Sequence, residues 1–313
     1  MVAGPTAVIL AGPTASGKTN LAISLAQSFP LGLISVDAAQ VYRGMDVGTA
    51  KPSPLVLKQF PHALIDIREP SETFSAGAFC EAASREVRRL VADQKIPMLV
   101  GGTMFYFWAV TGGLDRLPPA DRKARQRIEE EAEQLGWEAL HSRLEKLDPD
   151  AARRIDHRDG QRIQRALEIN QLTGESVGAS GSAGPTFPSN TRVIRLAIAF
   201  SDRGMLHKRI ERRVDQMLDL GFVEEVQRLV RNGLAPNAWA LRAVGYRQVH
   251  RYLKGELTYA AMRNQTIAAT RQLAKRQLTW LRKTPGFVWF DASDGNIYAT
   301  VQNYLKAQLP KMG

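Results

Sequence analysis

Eight consecutive residues, Gly12-Pro13-Thr14-Ala15-Ser16-Gly17-Lys18-Thr19, satisfy the pattern G-x-x-x-x-G-K-[ST] at every fixed position. An apolar run precedes them and a helical stretch follows, which is the setting that gives this pattern its meaning. The glycines let backbone N–H groups converge on phosphate oxygens, and the helix N-terminus adds its partial positive charge. All eight residues are therefore candidate phosphate ligands, with Lys18 neutralising a terminal phosphate and the Thr19 hydroxyl suited to Mg²⁺. The pattern leaves the phosphate compound open. A second apolar run, Leu33–Val36, ends in Asp37, which reads either as a metal-binding acid of a nucleotide hydrolase or as a general base. The run Met98–Val100 ends in Gly101-Gly102-Thr103, with no acid. If Asp37 is a base, a diphosphate ligand and leaving group fits better than a nucleoside triphosphate.

These residues need a scaffold that holds them at the ends of strands. Ala7–Ala11, Leu33–Val36, Ala63–Ile67 and Pro97–Val100 are short and apolar on both sides, as buried parallel strands are. Helical stretches follow at Lys18–Ser28, Ala76–Asp93 and Met104–Thr111, while the connection after the second strand is mostly loop. Alternating strand and helix predicts an α/β fold with a parallel sheet. From Leu117 the pattern turns helical and densely charged. Asp148 before Pro149 reads as a helix cap, and so does Asp159 ahead of Ile163, Ala166, Leu167 and Ile169. The Gly-, Ser- and Pro-rich Gly174–Asn190 reads as a loop. Residues 116–190 are thus expected to form an all-helical insertion between 1–115 and 191–313, the two parts of the core. Strands return at Val193–Phe200 and Gly286–Asp291, with helices at Met205–Asn232, Val244–Leu253 and Thr258–Lys283 between them.

The net charge of +11 is unevenly placed. Residues 1–115 carry nine basic and nine acidic residues, and residues 116–200 carry fourteen and thirteen. Val226–Val288 holds twelve basic residues and a single acid, Glu256, so this stretch carries the whole excess. So local an excess is the footprint of a polyanion, nucleic acid before membrane surface, with a solvated cationic helix face as the plainer alternative. No apolar run approaches the roughly 18 residues that cross a bilayer, and the N-terminus has no basic region ahead of an apolar stretch. A lone cysteine, Cys80, forms no internal disulfide and points to a reducing, cytoplasmic setting. The five histidines show no metal-ligand spacing.

Several longer motifs now become informative. Ser35-Val36-Asp37, Gln40–Asp46, Gly48–Pro52, Gly101-Gly102-Thr103 with Tyr106, Asp159 with Gln161–Glu168, Val244–Gln248, and Thr270–Gln277 with Trp280 resemble the tRNA dimethylallyltransferase (isopentenyltransferase) family. The resemblance runs from Ala7 to Arg282. Ala38 stands where the family often has Ser, and Phe105 where it often has an aliphatic residue.

The resemblance implies a P-loop NTPase-like parallel sheet flanked by helices, and transfer of a dimethylallyl group from dimethylallyl diphosphate to the exocyclic amine of the adenosine 3′ of the anticodon. It implies Asp37 as catalytic base, Thr103 as a substrate contact, and Lys18 with Arg213 on the leaving diphosphate. Arg209, one helical turn earlier, is placed to assist. The implied tRNA contacts are Asp37, Ala38, Ala39, Gln40, Thr103, Arg125, Gln161, Arg162, Ile163, Gln164, Arg165, Arg242, Ala243, Val244, Gly245, Tyr246 and Arg247. Tyr246 and Trp280 are candidate stacking platforms, although an aromatic on a helix is more often core. Arg263, Arg271, Lys275, Arg276 and Arg282 are expected to run along phosphates. Mg²⁺ is the implied cofactor, and no obligate protein partner is evident. Rival readings are an adenylate isopentenyltransferase, a small-metabolite kinase, and a nucleic-acid-binding switch without chemistry. The local charge and the helical insertion favour the tRNA enzyme over the first.

Overall fold

The structure, a computed structural model, describes residues 4–112, 117–118, 120–176, 186–188 and 190–309. The chain folds as two compact units, Met1–Thr111 with Thr186–Gly313, and Gly112–Pro185.

In the first unit, β1 (Thr6–Ala11) leads through α1 (Lys18–Ala26) to β2 (Leu31–Val36), α2 (Pro54–Gln59) and β3 (His62–Ala63). Next come α3 (Ala76–Ala92), β4 (Ile96–Gly101) and α4 (Met104–Gly112). Among the described residues six strands form one sheet in the order β3-β2-β4-β1-β5-β6, where β5 is Arg192–Ala199 and β6 is Val288–Asp291. Every pairing is parallel. All residues of β1 and β2 are buried because helices cover both faces, so these strands read as unbroken apolar runs rather than alternating ones. Ile9, Ile34 and Leu99 pack on one side with Phe79, Val87 and Phe107. Val8, Leu10 and Met98 face the other side, with Leu21, Leu25, Val301 and Leu305.

The strand ends are in step. Ala11 pairs with Gly101, and Gly101 with Val36, so residues 12, 37 and 102 leave the sheet at one level. Outside the carboxyl ends of parallel strands is where such sheets bind ligands.

The rest of this unit is helical: α9 (Arg203–Asp219), α10 (Phe222–Arg231), a 3₁₀ turn at Trp239–Arg242, α11 (Tyr246–Leu253), α12 (Tyr259–Lys283) and, after β6, α13 (Ile297–Gln308). The long helix expected over Met205–Asn232 is two, because the chain turns at Gly221 with φ 89°, a conformation suited to glycine. The strand expected over Ala63–Ile67 is also shorter. Only His62 and Ala63 pair with β2, and Leu64 and Asp66 then take left-handed φ values of 68° and 54°, which turn the chain out of the sheet.

The second unit comprises α5 (Arg122–Leu135), α6 (Trp137–Leu147), α7 (Pro149–Arg154) and α8 (Gly160–Thr173). Ile128, Leu140, Leu144, Ile163 and Leu167 form its core. Asp148 and Asp159 cap α7 and α8, accepting from the N–H groups of Ala151 and Arg162. Such caps contribute about 1 kcal/mol each. The fully buried Glu168 accepts from Arg125, Arg165 and the Asp121 N–H. Burial pushes its carboxyl upward, but these bonds outweigh that and hold it below the ordinary range. Much of Gly174–Asn190, 177–185 and 189, lies outside the described residues.

Candidate functional site

The eight-residue loop joins β1 to α1. Gly17 caps α1 with φ 89°, and no acid occupies the helix's first turn. Ala15 is left-handed as well, at φ 64°. Its side chain is buried with Phe200, Leu206, Ile210 and Ala274, and its carbonyl accepts from Arg209 Nε at 3.1 Å. Packing thus holds a conformation that a non-glycine residue rarely adopts. Lys18 Nζ folds back onto the Pro13 carbonyl at 2.8 Å. Among the described residues the buried Ser16 hydroxyl has no hydrogen-bond partner, and an orphaned buried group in a phosphate-type loop is one that a phosphate oxygen would satisfy.

Asp37 follows β2, and its Oδ1 accepts from the N–H groups of Ala39 at 2.8 Å and Gln40 at 3.2 Å. That turn fixes the carboxylate through one oxygen. Thr103 follows β4 and locks onto the same corner: its N–H donates to the Val36 carbonyl at 3.2 Å, and its Oγ1 accepts from the Ala38 N–H at 3.1 Å. The expected substrate contact therefore also staples two strand ends together.

Arg209 and Arg213 lie one turn apart on α9. Arg209 stacks on Phe200, 5.3 Å from the ring centre. Burial brings Lys18 down to about 8, Arg213 adds to the effect, and Asp37 opposes it. Burial also depresses Arg213, offset by Asp37 and reinforced by Arg209. Asp37 thus opposes the depression of both Lys18 and Arg213.

Gln277 of α12 takes a role that membership of a sequence motif does not reveal. Its Oε1 accepts from the Thr14 N–H at 2.8 Å, and its Nε2 donates to the Gly102 carbonyl at 2.8 Å. One side chain thus ties the phosphate-type loop to the strand end bearing Thr103. A Cβ on Gly102 would lie 2.5 Å from Gln277 Nε2, so the bridge requires glycine there. The motif spacing hints at importance, but the partners lie 263 and 175 residues away, beyond local pattern.

Other expected contacts divide by exposure. Ala38, Gln161, Arg162, Arg242 and Arg247 are exposed, with Arg242 stacked on Trp239 at 4.5 Å. Gln40 is half-buried, its carboxamide spanning Ser35 and Thr49. One expectation, the stacking role of Tyr246, needs correction, and the others are placed as follows. The Tyr246 ring is fully buried, and its hydroxyl donates to Glu225 at 2.5 Å, so it offers no face to a base. The Ile163 side chain lies in the helical unit's core. Arg125 and Arg165 are held by Glu168, and Gln164 is buried with its amide on the Arg125 carbonyl. On α12, Arg263 pairs with Asp215 and Glu211, and Arg271 with Glu211. Lys275, Arg276 and Arg282 are exposed. Trp280 is exposed too.

The strand order, with a phosphate-type loop after a central strand, places the chain in the P-loop NTPase-like class of parallel α/β folds. Within that class the chain belongs to the IPP transferase family, whose family model matches residues 40–284. A tRNA dimethylallyltransferase of Thiobacillus denitrificans is 53% identical over 92% of this chain and 92% of its own length. Among solved structures, the full-length tRNA isopentenylpyrophosphate transferase of Bacillus halodurans is similar with a TM-score of 0.70 and 34% identity, covering 97% of each chain. A eukaryotic dimethylallyltransferase acting on tRNA gives a TM-score of 0.78 at 25% identity, covering 99% of this chain and 81% of that one. Among the described residues no helix is long and apolar enough to cross a membrane, and no group of three or more His, Cys, Asp or Glu could hold a metal.

Proposed function

We infer that this chain transfers a dimethylallyl group from dimethylallyl diphosphate to the exocyclic amine, N6, of the adenosine 3′ of the anticodon in tRNA, releasing diphosphate. The observation that carries the reading is the corner at the strand ends shared by Asp37 and Thr103, which Gln277 ties to the Gly12–Thr19 loop, in a member of a family whose relatives bear that name. The amine nitrogen attacks C1 of the dimethylallyl group while the C1–O bond to diphosphate breaks. The bonding pair leaves with the diphosphate, whose growing charge meets Lys18, Arg213 and the N–H groups of Gly17, Lys18 and Thr19 at the start of α1. A guanidinium fork suits two diphosphate oxygens at once. The amine is a poor nucleophile, and Asp37 takes its proton as the new bond forms, an effect worth about 10²–10⁴ in rate. Thr103 holds the base beside that carboxylate.

The residues fit Mg²⁺ of the kind that takes most of its ligands from phosphate and water. Thr19 supplies a hydroxyl in the first turn of α1, and the orphaned Ser16 hydroxyl lies in the same loop. Such an ion would shield the diphosphate charge. For the RNA, the exposed candidates are Ala38, Gln161, Arg162, Arg242 and Arg247, with Lys275, Arg276 and Arg282 along phosphates. The target base must leave its stack, at a cost of a few kcal/mol that these contacts offset. We place the enzyme in the cytoplasm with its tRNA, active as a monomer.

Purified protein with Mg²⁺, dimethylallyl diphosphate and total tRNA should yield one prenylated adenosine by nucleoside mass analysis. ATP-dependent phosphorylation of a small molecule instead would overturn the reading in favour of a kinase. Asp37→Asn keeps an Oδ1 for the turn but accepts no proton. It should slow single-turnover transfer about 10²–10⁴-fold and leave the dissociation constant for tRNA within about threefold, since no charge–phosphate contact is removed.

A further inference from the structure

Beyond the transfer site lies an aromatic cluster that the chemistry leaves unused. Helix α4 carries no charged residue and is apolar on all sides. Met104, Tyr106, Phe107 and Val110 are buried in the core, yet Phe105 and Trp108 stay 46% and 45% exposed. An apolar outer face on a surface helix marks an interaction site more often than an accident. The two rings stack on each other at 5.6 Å and 15°. Trp280 of α12, itself 41% exposed, meets Phe105 edge-on at 6.4 Å. Phe105 thus contacts both indoles, and all three rings belong to residues that keep more than about two-fifths of their surface exposed.

The cluster lies close to the chemistry. Phe105 and Trp108 are two and five residues beyond Thr103, so Trp108 stands about 7.5 Å along the helix axis from it. That is about two stacked nucleotides at ~3.4 Å each. Trp280 is three residues beyond Gln277, which touches Gly102. The surroundings are cationic. Arg276 and Lys283 fall four before and three after Trp280 on the same helical face, both exposed, and α12 contains no acid in its 25 residues.

We propose that Phe105, Trp108 and Trp280 form a stacking platform for an unpaired base of the tRNA loop, next to but distinct from the acceptor adenosine. The proposal rests on the tRNA transferase reading above. Exposed aromatic rings amid phosphate-binding cations suit single-stranded RNA, because every base has a face to stack and a phosphate to neutralise. A five-carbon dimethylallyl group calls for an enclosed apolar pocket, which rings this exposed do not make. The platform offsets the unstacking of the target by giving its neighbour a new stacking partner.

The test uses the full chain and a fluorescent anticodon stem–loop RNA. Trp108→Ala should weaken RNA binding about 10-fold, while Trp108→Phe, which keeps a ring, stays within about threefold of the unsubstituted protein. Stacking releases no counterions, so the salt dependence should stay the same, as should the KM for dimethylallyl diphosphate. An abasic nucleotide at one loop position should reproduce the loss in the unsubstituted protein and add nothing in Trp108→Ala, because the two changes remove the same interaction. Unchanged RNA affinity in Trp108→Ala, with transfer intact, overturns the platform alone. A rise confined to the KM for dimethylallyl diphosphate overturns it in favour of a prenyl pocket. Absence of transfer by the unsubstituted protein overturns the underlying reading instead.

Discussion

At the scale of single residues, Lys18 shows how the loop is tuned. A diphosphate favours the protonated amine, and burial has brought the free protein's Lys18 down to about 8. Below that pH the cation is already in place. Above it, binding must take up a proton, so affinity for inorganic pyrophosphate falls by up to about tenfold per pH unit until the amine of the complex also titrates. Calorimetry in two buffers of different ionisation enthalpy should register the proton near pH 8.5. Lys18→Arg, charged throughout, should abolish both the proton uptake and the fall. If the fall persists in that variant, Lys18 is not its source. Residues of this kind were legible in the sequence because the loop pattern fixes each type at each position, and Asp37 was legible as the acid at a strand end. Tyr246 was not. Its helical spacing is the same whether it faces solvent or core, and the deciding partner, Glu225, lies on another helix.

At the scale of elements, buried polar groups hold the loop after β2. Glu225 of α10 is buried and accepts from the N–H groups of Asp46, Val47 and Gly48 and from the Tyr246 hydroxyl. It thereby fastens α10 and α11 to the segment running from Asp37 to Lys51. Lys51, its side chain buried, adds the Tyr42 carbonyl, Asp46 and Asp66. Removing the carboxylate leaves several donors unsatisfied at about 1–3 kcal/mol each. Glu225→Ala should therefore lower unfolding free energy by about 3 kcal/mol or more in urea titration. Tyr246→Phe, which loses one bond, should cost about 1–3 kcal/mol, and the double variant should fall well short of the sum. Additive losses would show that the two groups do not act together. Gln277 makes a parallel case for catalysis. Gln277→Leu keeps the volume but frees the Thr14 N–H and the Gly102 carbonyl, so transfer should slow about tenfold or more as Thr103 and the loop lose alignment, with melting temperature little changed. The sheet's central strands were readable because full burial makes them plain apolar runs. The end of β3 was not, since Leu64, Ile65 and Ile67 look like strand whether they pair in a sheet or pack beneath a loop.

At the scale of the whole molecule, the basic residues that α12 contributes to the charge excess of Val226–Val288 divide into two populations that composition alone cannot separate. Arg263 and Arg271 face Glu211 and Asp215 of α9, so part of the basic stretch is neutralised within the fold and clamps α9, bearer of Arg213, to α12. Lys275, Arg276, Arg282 and Lys283 lie exposed on the same helix, and no ion pair engages them among the described residues. Only the second population has counterions to release when RNA binds. Replacing Lys275 or Arg276 with Gln should weaken tRNA binding and reduce the slope of log K against log salt by about 0.7–0.9 for each phosphate left without its cation. Arg263→Gln should leave that slope unchanged, and should instead destabilise the fold by exposing Asp215 and Glu211 to each other. An equal drop in slope for all three variants would mean that α12 presents an undivided cationic face. A drop for Lys275 and Arg276 alone would assign phosphate binding to one side of the helix and the positioning of Arg213 to the other.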